Sequence, residues 1–190
     1  MFCNTGLASE ISKYQMAGAK LNISILDIMT VDQVAENLIN TDRRDENYIN
    51  VRYFPDTIKY PNLEFNEYYV TVNTSNEMFP IVAMTAIEWF KTDFEACKKK
   101  QNMYASKFEK IFGIKKEIHP IQDFSDVYGP GSRWRPIIFE HPNYDVIKSD
   151  TASILCYHYG NSTENDLYGS DNLKINILSR EYADLITVKN

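Results

Sequence analysis

The chain has 190 residues, of which 44% are hydrophobic and 24% charged, and its formal net charge is −6. This apolar fraction is too high for a disordered chain, and seven prolines with seven glycines are too few for a linker or a collagen-like repeat. No run of about 18 uncharged apolar residues is present, and the first residues lack the basic and apolar segments of a secretory signal peptide. We therefore expect a single globular domain over residues 1–190, without a membrane span or a signal peptide.

Two helices and one strand are predicted at the start of the chain. Apolar residues recur at helical spacing over residues 7–19, and they alternate as in a strand over residues 21–29. Thr30 and Gln33 have the spacing of a capping box, which predicts that a second short helix begins at residue 31.

Two strands are predicted next, over residues 48–54 and 63–72. Both segments are rich in aromatic and β-branched residues. Residues 73–77, Asn-Thr-Ser-Asn-Glu, have the composition of a turn.

The clearest helical signal extends over residues 85–112. Thr85 and Glu88 have the spacing of a capping box, and Gly113 is placed to end the helix. Residues at alternating spacings of four and three lie on one face: Phe90, Phe94, Cys97, Gln101, Tyr104, Phe108 and Ile111. The sequence therefore predicts one long amphipathic helix of about 40 Å, at about 1.5 Å per residue.

Strands are predicted for most of the remaining chain, over residues 135–140, 153–159, 173–178 and 182–188. The prolines that flank the first of these favour a position at the edge of a sheet. Together the elements predict an α+β fold with a mostly antiparallel sheet, one long amphipathic helix and one or two short N-terminal helices.

The charge is unevenly distributed along the chain. Residues 91–116 contain eight lysines and three acidic side chains, so this segment carries +5 and the remainder −11. Opposite charges on one molecule can bring its own copies together. We therefore predict that Lys98, Lys99 and Lys100 contact a partner. The alternative is a solvated lysine-rich helix face.

A second candidate binding region is the loop over residues 122–136. It combines glycines with Arg and Trp, which are enriched at binding hot spots. We predict that Tyr128, Arg133, Trp134 and Arg135 contact a partner. In the alternative interpretation, Trp134 anchors the loop to the core and the arginines pair with nearby carboxylates.

The three cysteines, Cys3, Cys97 and Cys156, are odd in number and far apart. A disulfide framework would need a dense, even set, and a zinc site would need closely spaced Cys or His pairs. We therefore expect free thiols in a reducing compartment and no metal site.

The motifs of common active sites are absent. The sequence has no glycine-rich phosphate-binding loop, no G-x-S-x-G motif and no H-E-x-x-H motif. Three histidines are present, His119, His141 and His158, and His141 could form an acid–base site with Glu140 or Asp145. We predict no catalytic residue and no cofactor.

The segment Glu67-Tyr-Tyr-Val-Thr-Val-Asn-Thr-Ser-Asn-Glu77, with Trp89 early in the predicted helix, resembles part of the contractile-phage tail tube family. Residues 7–16, which end Tyr14-Gln-Met16, are similar to the N-terminal segment of such proteins. The resemblance implies a β-rich subunit that assembles into hexameric rings around an acidic lumen and has no catalytic activity. Tail-terminator and neck proteins have related folds and fit the same features.

These observations favour a non-enzymatic, self-assembling structural protein of a virus or phage particle, located in the virion or in the host cytoplasm. Its partners would be its own copies and neighbouring structural proteins, with nucleic acid at most passing through an assembled lumen. One alternative is a small intracellular binding or inhibitor protein of a mobile element, because the loop at 122–136 would also suit a foreign partner. Another is a small hydrolase or nuclease with a histidine–carboxylate site.

Overall fold

A large antiparallel sheet lies at the centre of the molecule. The computed structural model describes residues 10–140, 149–160 and 171–188, and in these residues nine strands form that sheet. A separate hairpin consists of β1 (Gln15–Met16) and β2 (Ala19–Lys20). The strands of the sheet are β3 (Leu38–Thr41), β4 (Tyr48–Tyr53), β5 (Glu67–Asn73), β6 (Ile81–Trp89), β7 (Glu117–Ile118), β8 (Gln122–Asp123), β9 (Arg133–Phe139), β10 (Thr151–His158) and β11 (Asn172–Leu178). The helices are α1 (Val31–Glu36), α2 (Phe94–Phe112), α3 (Ser125–Tyr128) and α4 (Arg180–Val188), and a 3-10 turn covers Ile25–Asp27.

The strands follow the order β3-β4-β5-β6-β11-β10-β9, and both β7 and β8 pair with the outer edge of β9. All of these pairs are antiparallel. The predicted α+β fold with a mostly antiparallel sheet is therefore confirmed. In the described part of the chain, β3 forms one end of the sheet, and β7 with β8 forms the other.

Helix α2 covers the β9–β11 half of one sheet face and forms the main core with it. Its buried stripe includes Cys97, Gln101, Tyr104 and Phe108, at the predicted spacing of four and three. Phe108 is fully buried, and its ring centroid lies 5.9 Å from that of Phe139 on β9. Truncation of such a buried ring to alanine typically lowers the free energy of unfolding by about 3–5 kcal/mol, so packing along this stripe stabilises the helix on the sheet.

The predicted helix over residues 85–112 is wrong at its N-terminal end. Helix α2 begins only at Phe94, where the Asp93 side chain accepts a hydrogen bond from a backbone amide of the first turn. Its other end agrees with the sequence, because Gly113 takes a left-handed conformation with φ 66° and ends the helix.

The segment before α2 is the central strand β6. Both of its faces are largely buried, so its apolar residues do not alternate with polar ones and the strand pattern is hidden. Thr85, the predicted helix cap, instead donates a hydrogen bond of 2.9 Å to the Asn176 side chain on β11. Trp89 ends this strand, so the expected helix that would carry it is also wrong.

The predictions for the N-terminal segment are partly wrong. Of the helix expected over 7–19, residues 7–9 lie outside the described residues, and the remainder forms a turn and the β1–β2 hairpin. Ala17 and Gly18 both have positive φ, which is the turn geometry that matches the twist of a two-residue hairpin. The strand expected over 21–29 is wrong, because these residues form turns, one isolated bridge from Ser24 to Pro80 and the 3-10 turn.

The capping box at Thr30 is confirmed. The Thr30 hydroxyl accepts a hydrogen bond from the Gln33 amide, and the Gln33 side chain accepts one from the Thr30 amide. Helix α1 therefore begins where the sequence predicts, and it is the expected short N-terminal helix.

The strand predicted over residues 182–188 is wrong, because these residues belong to α4. A short apolar run fits a helix and a strand equally well, so spacing alone could not decide. Helix α4 packs on the sheet face opposite α2, where Tyr182 forms a second small cluster with Tyr48, Val82 and Ala83.

Two further expectations need correction. β9 is not an edge strand, because β10 pairs with one side of it and β7 and β8 with the other. The expectation of free thiols is wrong for Cys97 and Cys156, which form a fully buried disulfide between α2 and β10 with Cα atoms 6.0 Å apart. Packing of the helix on the sheet brings them together, a long-range contact that cysteine spacing does not reveal. Cys3 lies outside the described residues.

Candidate functional site

A cavity of about 490 Å³ opens between the first half of α2 and strand β9. We call it the cationic groove, and its lining consists of Glu95, Lys98, Lys99, Asn102, Ile121 and Arg135. The fold therefore brings together three of the predicted partner-binding residues, Lys98, Lys99 and Arg135, from distant parts of the chain.

The sequence explains why these side chains point into one groove. Lys98 and Lys99 lie beside the buried stripe of α2, so they emerge along the border of the helix. Arg135 pairs across the sheet with Cys156, whose side chain is bonded to α2, so Arg135 faces the same side. The Gln101 side chain donates hydrogen bonds of 2.7 Å to the backbone oxygens of Arg135 and Ile154, and so fixes α2 above both strands.

The groove carries excess positive charge. Lys98 forms an ion pair of 2.6 Å with Glu95, whereas Lys99 and Arg135 have no ion pair within the described residues. Arg133 lies on the same face of β9 as Arg135, and its guanidinium lies 5.1 Å from the ring centroid of Phe94. Arg133 also has no ion pair within the described residues. Unpaired guanidinium groups favour carboxylates or phosphates, which they can bind through two hydrogen bonds.

Lys100, the third lysine of the predicted contact face, points away from the groove. Its Nζ lies 3.1 Å from Glu88 Oε1 on β6, in a half-buried ion pair. The run of three lysines therefore divides into two that line the groove and one that pairs internally.

Tyr128 and Trp134 lie on the other side of the sheet, in an aromatic cluster. The Trp134 ring stacks on Tyr157 at 5.8 Å between centroids, and Phe124 contacts both Trp134 and Tyr128 at 5.9 and 4.8 Å. Burial raises the pKa of Tyr157, as expected for a phenol inside such a cluster. This geometry favours the alternative interpretation, in which Trp134 anchors the loop. The neighbouring arginines, however, have no carboxylate partner in the described residues.

Of the three histidines, the structure describes His119 and His158. His141 and Asp145 lie outside the described residues, and the half-buried His119 has its Nε2 3.5 Å from Glu117 Oε1. The Nδ1 of His158 lies 3.0 Å from both carboxylate oxygens of the buried Asp171.

Sequence reasoning missed Asp171 and Ile121. Asp171 could have been found, because pairing of the two strands predicted at 153–159 and 173–178 in a hairpin places it opposite His158. Nothing in the local sequence indicates that Ile121 lines the groove, since that position depends on how β7 and β8 run along β9.

Comparison of the chain with protein-family models, with curated proteins and with solved structures finds no match. In the described ranges, no helix is long and apolar enough to cross a membrane. The same ranges contain no group of three or more His, Cys, Asp or Glu side chains that could hold a metal ion.

Proposed function

We propose that the protein is a non-enzymatic structural subunit that assembles with copies of itself, and that the cationic groove is a contact surface in this assembly. The observation that carries the proposal is the convergence of Lys99 and Arg135, which have no acidic partner in the described residues, at one open groove. A cavity with unpaired cations favours an acidic ligand.

A second copy of the chain can supply that acidic surface. Outside the lysine-rich segment the chain carries −11, so the remainder of the chain has the opposite net charge to the groove. Complementary charges steer association and select its orientation, while each rim pair adds little affinity. The proposed contact should therefore be sensitive to salt.

A virus or phage particle remains the assembly that we propose. Strand β5 and the turn that follows it carry the resemblance to tail tube proteins, and both elements are present in the fold. The strand and the turn support the proposal. Trp89 does not, because it lies in a strand and not in the helix that the resemblance implies.

Light scattering coupled to size-exclusion chromatography tests the proposal. Between about 50 mM and 500 mM salt the screening length falls from roughly 14 to 4 Å, so the molar mass should decrease towards that of the monomer. The double variant Lys99→Glu with Arg135→Glu should be monomeric even at low salt. Lys110→Glu and Lys59→Glu together make a matched control, because they change the charge equally outside the groove.

A second candidate function, a small hydrolase or nuclease, is favoured by the His158–Asp171 pair. A buried carboxylate beside Nδ1 can orient an imidazole for acid–base chemistry. Activity of the wild-type chain on a nitrophenyl ester or phosphodiester that His158→Ala lacks would support this candidate. Equal activity of the two proteins would exclude His158 from catalysis.

A further inference from the structure

The end of the sheet farthest from the groove carries the complementary charge. Residues 27–46, which include α1 and β3, contain six acidic and two basic side chains and so carry −4. Asp32 and Glu36 on α1 are exposed and have no ion pair within the described residues. Asp42 and Arg44 neutralise each other in an ion pair of 2.7 Å, so the exposed charge of this end is acidic.

The two charged ends cannot neutralise each other within one molecule. Seven strand spacings separate β3 from β7, or about 34 Å along the sheet at about 4.8 Å each. This separation is roughly four screening lengths at physiological salt. Each end is therefore free to interact with the opposite end of another copy.

Both ends also expose a pair of large apolar side chains. Leu38 and Ile39 on β3 are 48% and 49% exposed, and Ile118 and Ile121 beside β7 and β8 are 48% and 47% exposed. Ile121 also lines the cationic groove, so this apolar side chain and the groove cations share one surface. An apolar centre with charged residues around it is the composition of a protein–protein interface.

We propose that the α1–β3 end of one copy docks on the cationic groove and the adjoining β7–β8 edge of the next, so that copies join head to tail. This inference rests on the proposed function and adds the partner, the surface and the orientation. Leu38 and Ile39 would pack on Ile118 and Ile121, while Asp32 and Glu36 face the groove cations. A contact between two different surfaces closes into a ring or extends as a filament, depending on the rotation between copies.

Side chains rather than backbone ladders form this contact. Pro120 interrupts the β7–β8 edge, and the lysines before β7 are typical of an edge that resists strand addition. The second copy is the occupant that the charges favour, because one chain supplies both halves of the complementary pair.

Engineered cysteines test the orientation. In a Cys3→Ser background, the double variant Ile39→Cys with Ile121→Cys should form a ladder of dimers, trimers and larger species on mild oxidation, seen on a non-reducing gel. An equimolar mixture of the two single variants should stop at dimers, and neither single variant alone should cross-link. A double variant that stays monomeric on the gel, or cross-linking of Ile39→Cys with itself, would overturn the head-to-tail contact.

Charge exchange separates this inference from the proposed function. Asp32→Lys with Glu36→Lys should weaken self-association roughly tenfold or more, and adding Lys99→Glu and Arg135→Glu should restore it. Glu77→Lys, which changes an exposed carboxylate outside α1, β3 and the β7–β8 edge, is the control and should assemble normally. If only the groove variants reduce assembly, the docking inference is wrong and the proposed function stands. A wild-type chain that stays monomeric at low salt would contradict both.

Discussion

The Tyr182 hydroxyl donates a hydrogen bond of 2.5 Å to the carboxylate of Asp42, a residue 140 positions earlier in the chain. Arg44 adds hydrogen bonds of 2.8 and 2.7 Å to the same carboxylate. Helix α4 is thereby attached to the β3–β4 end of the sheet, next to the acidic surface proposed to bind another copy.

This attachment should make stability depend on acid pH. Burial acts to raise the pKa of Asp42, but the hydrogen bonds from Arg44 and Tyr182 outweigh it and lower the pKa to about 2. The carboxylate therefore stabilises the fold fully above its ordinary pKa of about 4, and this contribution is lost as the pH falls through about 2. We expect a loss of about 2 kcal/mol in the free energy of unfolding between pH 5 and pH 2, measured by urea titration.

Asp42→Asn should be less stable than wild type at pH 5 and should lack this part of the pH dependence. Asp27→Asn, which changes an exposed carboxylate, is the control and should follow the wild-type profile. Parallel pH profiles for wild type and Asp42→Asn would contradict the assignment.

The disulfide between Cys97 and Cys156 should contribute strongly to stability. It closes a loop of 59 residues, and the chain-entropy relation for a loop of this length gives about 4 kcal/mol. Reduction, or the double variant Cys97→Ala with Cys156→Ala, should lower Tm by about 10 °C. Intact mass after alkylation in denaturant, with and without prior reduction, counts the bonded cysteines. If the pair is bonded, only Cys3 is alkylated without reduction. Alkylation of all three cysteines without reduction would show that Cys97 and Cys156 are not bonded.

Gly160 should not tolerate a side chain. A Cβ at this position would overlap the carbonyl oxygen of Pro130, a backbone atom that cannot move aside like a flexible side chain. We expect Gly160→Ala to cost about 2 kcal/mol or more in the free energy of unfolding. Gly113→Ala is the comparison, because nothing lies near its Cβ and only the left-handed backbone penalty of about 1 kcal/mol applies. Equal losses for the two variants would contradict the close approach.

Trp134 should act on stability rather than on assembly. Trp134→Ala removes the ring that stacks on Tyr157 and should destabilise the chain by about 3 kcal/mol, whereas Trp134→Phe should keep most of the packing. Light scattering on the folded Trp134→Phe variant should show wild-type assembly. Loss of assembly by this variant at unchanged Tm would make Trp134 a contact residue.

Local signals in the sequence predict several elements well. The capping box at Thr30 and the terminating Gly113 agree with the structure, whereas the capping box predicted from the same local spacing at Thr85 is wrong. Strand β6 shows the opposite case, because burial on both faces removes the alternation that identifies a strand. Helix α4 has a short apolar run that fits either periodicity, and only its packing on Tyr48 and Ala83 decides between them.

The candidate site was only partly predictable for the same reason. Residue type and charge identify Lys98, Lys99, Arg133 and Arg135. The packing of α2 against β9 decides that Lys98, Lys99 and Arg135 line one groove and that Arg133 lies beside Phe94. The sequence alone also does not show that Lys100 differs from the two lysines that line the groove, because its ion-pair partner Glu88 lies on a strand that was predicted as a helix. The sequence shows the charge asymmetry, and the fold places the acidic α1–β3 segment and the cationic groove towards opposite ends of one sheet.

The molar mass of the chain at low salt, measured by light scattering for wild type and for Lys99→Glu with Arg135→Glu, tests the central claim most directly. We predict oligomers for wild type, a decrease in their mass as salt rises, and monomers for the groove variant at every salt concentration. A wild-type chain that is monomeric at low salt, or a folded groove variant that assembles as wild type does, would contradict the claim that the cationic groove joins copies of this protein.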